Sequence, residues 1–169
     1  ALVGGDTVRG PLSMTVTVHG SVEVDRHVAR TGAAAGDRIY VTGTVGDARA
    51  GLDVLLHEQS VKGLNDKLLQ RFLYPSPRVM PGQQLAGIAS AMIDISDGLH
   101  DDLGKLLYAS GLGADLELAA LPISEELLRF VSADAAIELA LTGGDDYELC
   151  FTVPPEKESR LAQLAEHWD

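Results

Sequence analysis

Apolar residues recur along the chain at two alternating periods, and each change of period marks an element boundary. Residues 14–20, Met-Thr-Val-Thr-Val-His-Gly, are rich in β-branched side chains and predict a strand that Gly20 ends. After a turn over 32–37, Arg38-Ile39-Tyr40-Val41-Thr42-Gly43 predicts a short second strand. Ala48, Leu52, Leu55 and Leu56 then fall three and four apart, the spacing of an amphipathic helix over 47–57 capped near Thr44 or Asp47. Gly46 and Gly51 give that helix close-contact surface at some cost in propensity. A helix over 64–73 follows, and the prolines of Tyr74-Pro75-Ser76-Pro77-Arg78 force an extended segment after it.

The second half continues the alternation. Residues 83–90 predict a short helix, and Ala91-Met92-Ile93-Asp94-Ile95 a buried strand that ends in Ser96-Asp97-Gly98. Residues 99–110 predict a helix with Leu103, Leu106 and Leu107 on one side, Asp101 and Asp102 in its first turn, and Gly111 and Gly113 stopping it. A strand is expected over 115–118, a helix over 125–131 introduced by Pro122 and Ser124, and another over 133–141. Residues 142–146 form a turn before a strand over 147–153, and 156–168 read as a helix whose Trp168 should pack on sequence that follows.

A strand at 14–18 cannot make a sheet alone, so residues 1–21 are expected to be the tail of a preceding domain and 22–169 a second domain, incomplete at its end. Strands and helices interleave after residue 22, which predicts a layered α/β or α+β domain. No internal repeat and no low-complexity linker occurs.

Composition narrows the function. With 46% hydrophobic residues the 169-residue chain reads as globular, and no apolar run reaches membrane-span length. The amino end lacks a signal-peptide pattern, so a cytoplasmic location is expected. A formal net charge of -12 disfavours nucleic acid, whose phosphates need Lys and Arg. An acidic chain that binds phosphates needs divalent metal ions between the carboxylates and the phosphates. Cys150 is the only cysteine, within an apolar strand, and is expected to be a buried packing residue rather than a reactive thiol.

Three pairings of glycine and aspartate carry the candidate chemistry. Gly4-Gly5-Asp6-Thr7, closed by Gly10, brings backbone amides and a carboxylate together, as a phosphate and metal site requires; an ordinary surface turn has the same composition. Asp94-Ile95-Ser96-Asp97-Gly98 places Asp94 and Ser96 on one face of a strand and Asp97 at its carboxyl edge, where α/β sheets bind ligands. Helix capping accounts for Asp97 or Ser96 but leaves Asp94 in an apolar strand without a partner. Thr142-Gly143-Gly144-Asp145-Asp146-Tyr147-Glu148 is either a rim of paired acids on a pocket or a turn between helix and strand. Arg30, before Thr31-Gly32-Ala33, is placed to reach a phosphate or is solvated, Arg78 stands on a stiff segment with the same two readings, and Lys105 reads as solvated. Walker A, dinucleotide-fingerprint, His-Glu-x-x-His and Gly-x-Ser-x-Gly patterns are absent, and the five histidines are scattered and read as surface residues, with sheet packing as the alternative for His19.

In this order and spacing, these motifs, with Arg9-Gly10, Gly36-Asp37, Tyr40-Val41-Thr42-Gly43, Pro77-Arg78 and Leu99, resemble the thiamine-monophosphate kinase family. That family belongs to a superfamily with aminoimidazole ribonucleotide synthetase, selenophosphate synthetase and a hydrogenase-maturation protein. The resemblance implies an α+β fold of the aminoimidazole ribonucleotide synthetase C-terminal type, a mixed sheet with packed helices preceded by a remnant strand. It implies ATP- and magnesium-dependent phosphorylation of thiamine monophosphate by direct transfer, in a homodimer longer than this chain at both ends. Gly5, Asp6, Arg30 and Ser96 match ATP-contacting positions, and Asp6, Asp94 and Asp97 magnesium ligands. Asp145 stands where the family usually has a substrate-contacting glutamate, one methylene longer. Two alternatives are another ATP-using enzyme of the superfamily and a non-catalytic regulatory or interaction domain.

Overall fold

The computed structural model describes residues 10–11, 15–57 and 64–168. Three strands, β1 (Arg38–Val41), β2 (Ala91–Asp94) and β3 (Leu149–Val153), form one sheet in the order β1-β3-β2. β3 runs antiparallel to both neighbours, with Tyr40 opposite Phe151 and Ile93 opposite Cys150. The α+β layering holds, but this sheet is antiparallel where a mixed one was expected. Residues 15–20 carry no strand pairing, and Val16 and Val18 lie open to solvent, so the strand over 14–18 is not formed within the described residues.

Alternation along the strands fills two layers. Ala91, Ile93 and Cys150 face one side with Val45, Ile95 and the α4 (Leu99–Ser110) residues Leu99, Leu103 and Leu106. Phe151 and Val153 face the other with Leu85, Ile88 and Leu161. Burial pushes the Cys150 thiol up to about 12, as its packing role requires. Trp168 closes the second layer edge-on to Phe151, its indole N–H donating to Gln84 Oε1 at 2.6 Å. It packs inside the chain, contrary to the expectation that it would need following sequence.

A helical layer lies beside the sheet. α1 (Asp47–Leu56) crosses α2 (Leu64–Leu73), with α5 (Glu125–Phe130) and α6 (Ala133–Thr142) against them around Ala50, Leu68, Leu127 and Ala136. The crossing requires Gly51, because a Cβ there would stand 2.2 Å from the Leu68 carbonyl oxygen. Ser124 and Ser132 cap α5 and α6 through their hydroxyls. The expected helix over 83–90 is displaced toward the amino end, since α3 spans Val79–Gln84 and 85–88 are turns. The strand expected over 115–118 is irregular chain leading into one 3-10 turn, Leu118–Ala120; among the described residues it has no neighbouring strand to pair with, and apolar alternation alone does not make a strand. A second 3-10 turn, Pro155–Lys157, precedes α7 (Glu158–Ala165), so the terminal helix is shorter than 156–168. No helix among the described residues is long and apolar enough to cross a membrane.

Candidate functional site

Antiparallel pairing sets Asp94, the last residue of β2, opposite Leu149, the first of β3. The loop leaving β2 and the turn entering β3 are therefore neighbours at one end of the sheet. Asp145 N–H donates to the Ser96 carbonyl at 3.0 Å, Tyr147 N–H to the Ile95 carbonyl at 2.8 Å, and Ile95 N–H to the Glu148 carbonyl at 2.8 Å. Gly144 permits this approach, since a Cβ there would lie 2.7 Å from the Ser96 carbonyl oxygen. Two of the glycine and aspartate motifs thus form one site, with Asp94, Ser96, Asp97, Asp145 and Tyr147 on its rim. Asp94 is exposed at the strand end rather than buried without a partner, so its openness, not its burial, marks it.

Asp146 works inward. Buried at 2% exposure, its carboxylate accepts the Gly46 N–H at 2.6 Å and the Ala48 N–H at 3.1 Å, capping α1 from a hundred residues away. The cap expected from Thr44 or Asp47 is thus supplied across the fold. Turning Asp146 inward puts both flanking residues in the left-handed region, Asp145 at φ 68° and Tyr147 at φ 51°. Such conformations are costly for non-glycine residues and persist only where surrounding contacts enforce them. The Tyr147 hydroxyl donates to Asp145 Oδ1 at 3.1 Å. Its pKa is raised by that bond first, then by the Asp145 charge, burial, and the charges of Asp94 and Asp97. The three rim carboxylates therefore act on one hydroxyl.

Burial pushes the Asp146 carboxyl up to about 6, against the two amide bonds and the pull of Arg71. A folded-state pKa above the unfolded one adds stability below the unfolded value and loses it as pH rises through the folded value. Between about pH 4 and pH 7 the protein should thus lose on the order of 3 kcal/mol through this group. The Asp146→Asn variant should lack that part of the slope in urea unfolding at the two pH values. An identical slope in both proteins would mean that Asp146 titrates normally.

Asp102 in the first turn of α4 folds back to hold the loop. Its Oδ2 accepts the Ser96 and Asp97 N–H groups, each at 2.8 Å, while its Oδ1 meets Lys105 Nζ at 2.7 Å. Burial alone would raise its pKa, but Lys105 and the two amides hold it below the usual carboxylate range. Lys105 also meets Asp97 Oδ2 at 2.5 Å. Lys105 is thus exposed, as its helix position suggested, and is also drawn to the loop through two carboxylates. Asp97 is no cap for α4, whose N-cap is Gly98 with no side-chain bond.

Beneath the turn lies a cluster that the sequence did not disclose. Glu148, fully buried, accepts Arg78 Nε and Nη2, Arg71 Nη2 and the Thr42 hydroxyl at 2.6–2.7 Å. Arg78 was marked by its stiff segment, but Glu148 reads in sequence only as one more acid of the turn. A cleft of about 780 Å³ opens elsewhere, between residues 33–41 and 112–122, and none of the candidate residues lines it.

Of the sequence candidates, Asp94, Ser96, Asp97 and Asp145 come together. Gly5 and Asp6 lie outside the described residues. Arg30 is exposed and makes no ion pair among the described residues; its carbonyl accepts the Ser110 hydroxyl at 3.5 Å, at the end of α4. All five histidines are exposed. No three His, Cys, Asp or Glu side chains are gathered closely enough among the described residues to hold a metal ion. Asp94 and Asp97 are nevertheless exposed oxygen donors, the donor class that magnesium takes, usually as one or two carboxylates completed by phosphate and water.

Residues 34–169 match the family described as AIR synthase related protein, C-terminal domain. The chain is 54% identical over 155 residues to a thiamine-monophosphate kinase of Salmonella typhimurium, covering 90% of this chain and 48% of that protein. It superposes on a thiamine-monophosphate kinase crystal structure from Stenotrophomonas maltophilia with TM-score 0.80 and 38% identity, over 83% of this chain and 46% of that one. A structure of AaThiL complexed with AMPPCP and TMP matches with TM-score 0.73 and 41% identity, over 78% and 44% of the two chains. The chain spans about half the length of the curated relatives it matches.

Proposed function

The chain belongs to the AIR synthase related family, whose C-terminal domain it matches, and from that membership we propose that the protein phosphorylates thiamine monophosphate to thiamine diphosphate with ATP. The observation that carries this reading is the joining of residues 94–98 to residues 143–148 in one carboxylate-rimmed site. A relative complexed with AMPPCP and TMP supports the same two ligands here. In the reaction, a phosphate oxygen of thiamine monophosphate attacks the γ-phosphorus of ATP. The bond to the bridging oxygen breaks and ADP leaves with the electron pair.

Catalysis of this kind asks for alignment and charge neutralisation more than covalent chemistry. Asp94 and Asp97, joined by Asp6, would hold magnesium, which when bound offsets the repulsion between donor and acceptor phosphates. Asp102 fixes the amides of Ser96 and Asp97, so the loop carrying the ATP-contacting Ser96 is ordered before ligands arrive. Asp145, held by Tyr147, takes the substrate side, with a side chain one methylene shorter than the usual glutamate. Gly5 and Arg30 complete the ATP contacts in this reading. Residues 1–21 close a preceding domain, residues 22–169 form the second, and the whole protein acts as a cytoplasmic homodimer.

The deciding experiment follows thiamine diphosphate formation from thiamine monophosphate, ATP and magnesium, with this chain and with the full-length gene product in parallel. Activity in the full-length protein alone is expected. An inactive but folded full-length protein would turn the assignment to another ATP-using member of the superfamily or to a non-catalytic domain.

A further inference from the structure

Lys105 occupies a position that the proposed reaction does not explain. Its ammonium lies 2.5 Å from Asp97 Oδ2 and 2.7 Å from Asp102 Oδ1. Asp102 has other partners, because its Oδ2 already accepts two backbone amides, and it is 2% exposed. The Asp97 side chain is 63% exposed, so water is available to it in place of the lysine. The Lys105 side chain is itself 44% exposed and stands on a flexible four-carbon stem. An exposed lysine held by two carboxylates, one of them a candidate metal ligand, gives the rim a positive charge of its own.

We propose that Lys105 is a tethered counter-ion that holds the Asp97 carboxylate and competes with a divalent cation for it. The inference rests on Asp97 being a metal ligand in the function proposed above. A carboxylate oxygen engaged by an ammonium is a poorer donor to a metal, and the ammonium repels a second cation placed beside it. A metal ion that takes Oδ2 displaces Lys105 from Asp97. Asp102 remains as its anchor, since the bond to Oδ1 is independent of Asp97. The displaced ammonium stays at the site, where bound phosphates offer it a new partner.

The test uses Mn2+ alone, titrated without nucleotide into the full-length gene product and followed by the loss of the free-ion paramagnetic signal. Lys105→Gln should tighten Mn2+ binding by about fivefold to tenfold, the effect of removing one nearby positive charge. Lys105→Arg, which keeps the charge, should bind as the unaltered protein does, and Asp97→Asn should weaken binding. Unchanged or weaker binding in Lys105→Gln, with Asp97→Asn still weakened, would overturn the counter-ion role and leave the metal assignment standing. Unchanged binding in Asp97→Asn would overturn the metal assignment and the inference with it.

Discussion

Replacing Glu148 by alanine is expected to cost the fold about 3–5 kcal/mol, the range for breaking a buried ion pair by removing one partner. Its carboxylate is saturated, with Arg78 engaging both oxygens in a fork, Arg71 adding to Oε1 and the Thr42 hydroxyl to Oε2. Alanine would remove the carboxylate that the two guanidinium groups share, whose side chains are 22% and 17% exposed. Thr42, which also accepts the Leu149 N–H at 2.8 Å, would lose its acceptor at the start of β3. Urea unfolding measures the loss. A change under about 1 kcal/mol would show that the cluster is not what ties the 71–78 segment to the sheet. Substituting Arg78→Met in the same background should return part of the loss, because one of the two positive charges that Glu148 offsets goes with it. Since Ile95 donates to the Glu148 carbonyl, the variant should also loosen the loop that carries Asp97.

Asp97→Asn is expected to act in the opposite way, leaving the fold and removing the function. In the full-length gene product, magnesium-dependent ATP binding and turnover should fall by about a hundredfold or more, as for loss of an electrostatic partner to developing phosphate charge. Stability should change by less than about 1 kcal/mol, because the ion pair with Lys105 is solvent-exposed on both sides. The loop keeps its shape, as Asp102 holds the backbone amide of residue 97 and not its side chain. Nucleotide binding at several magnesium concentrations, set beside an unfolding curve, checks both halves. Unaltered magnesium dependence would remove Asp97 from the metal site.

These two variants separate a residue that the sequence marks from one that only the fold singles out. Asp97 stands out as a candidate because a carboxylate between an apolar strand and a glycine has few structural uses, and capping does not account for the nearby Asp94. The helices of residues 99–110, 125–130 and 133–142 were legible for a similar reason, since their caps and apolar spacing are local properties of the chain. The strand expected over 115–118 failed because strand formation depends on a neighbour that local spacing does not supply. Glu148, Asp146 and Lys105 share that difficulty. Nothing within a few residues of Glu148 distinguishes it from Asp145, yet one is fully buried beneath two arginines and the other stands on the rim.

By itself, the sequence determined most of the helices, the three strands of the sheet, the family resemblance and the carboxylates that stand beside glycines, because periodicity, capping and motif spacing are carried by neighbouring residues. Only the tertiary structure decided which acid faces outward. Antiparallel pairing of β2 with β3 brings residues 94 and 149 opposite one another, and the close approach at Gly144 joins the two loops. Within that junction Asp146 turns inward to α1, Glu148 to Arg71 and Arg78, and Asp102 to the loop amides. Asp146, Glu148 and Asp102 each find backbone amides or guanidinium donors inside the fold, while Asp97 and Asp145 meet only exposed side-chain donors and stay on the rim, because burying a charge without sufficient partners costs more than the fold can supply.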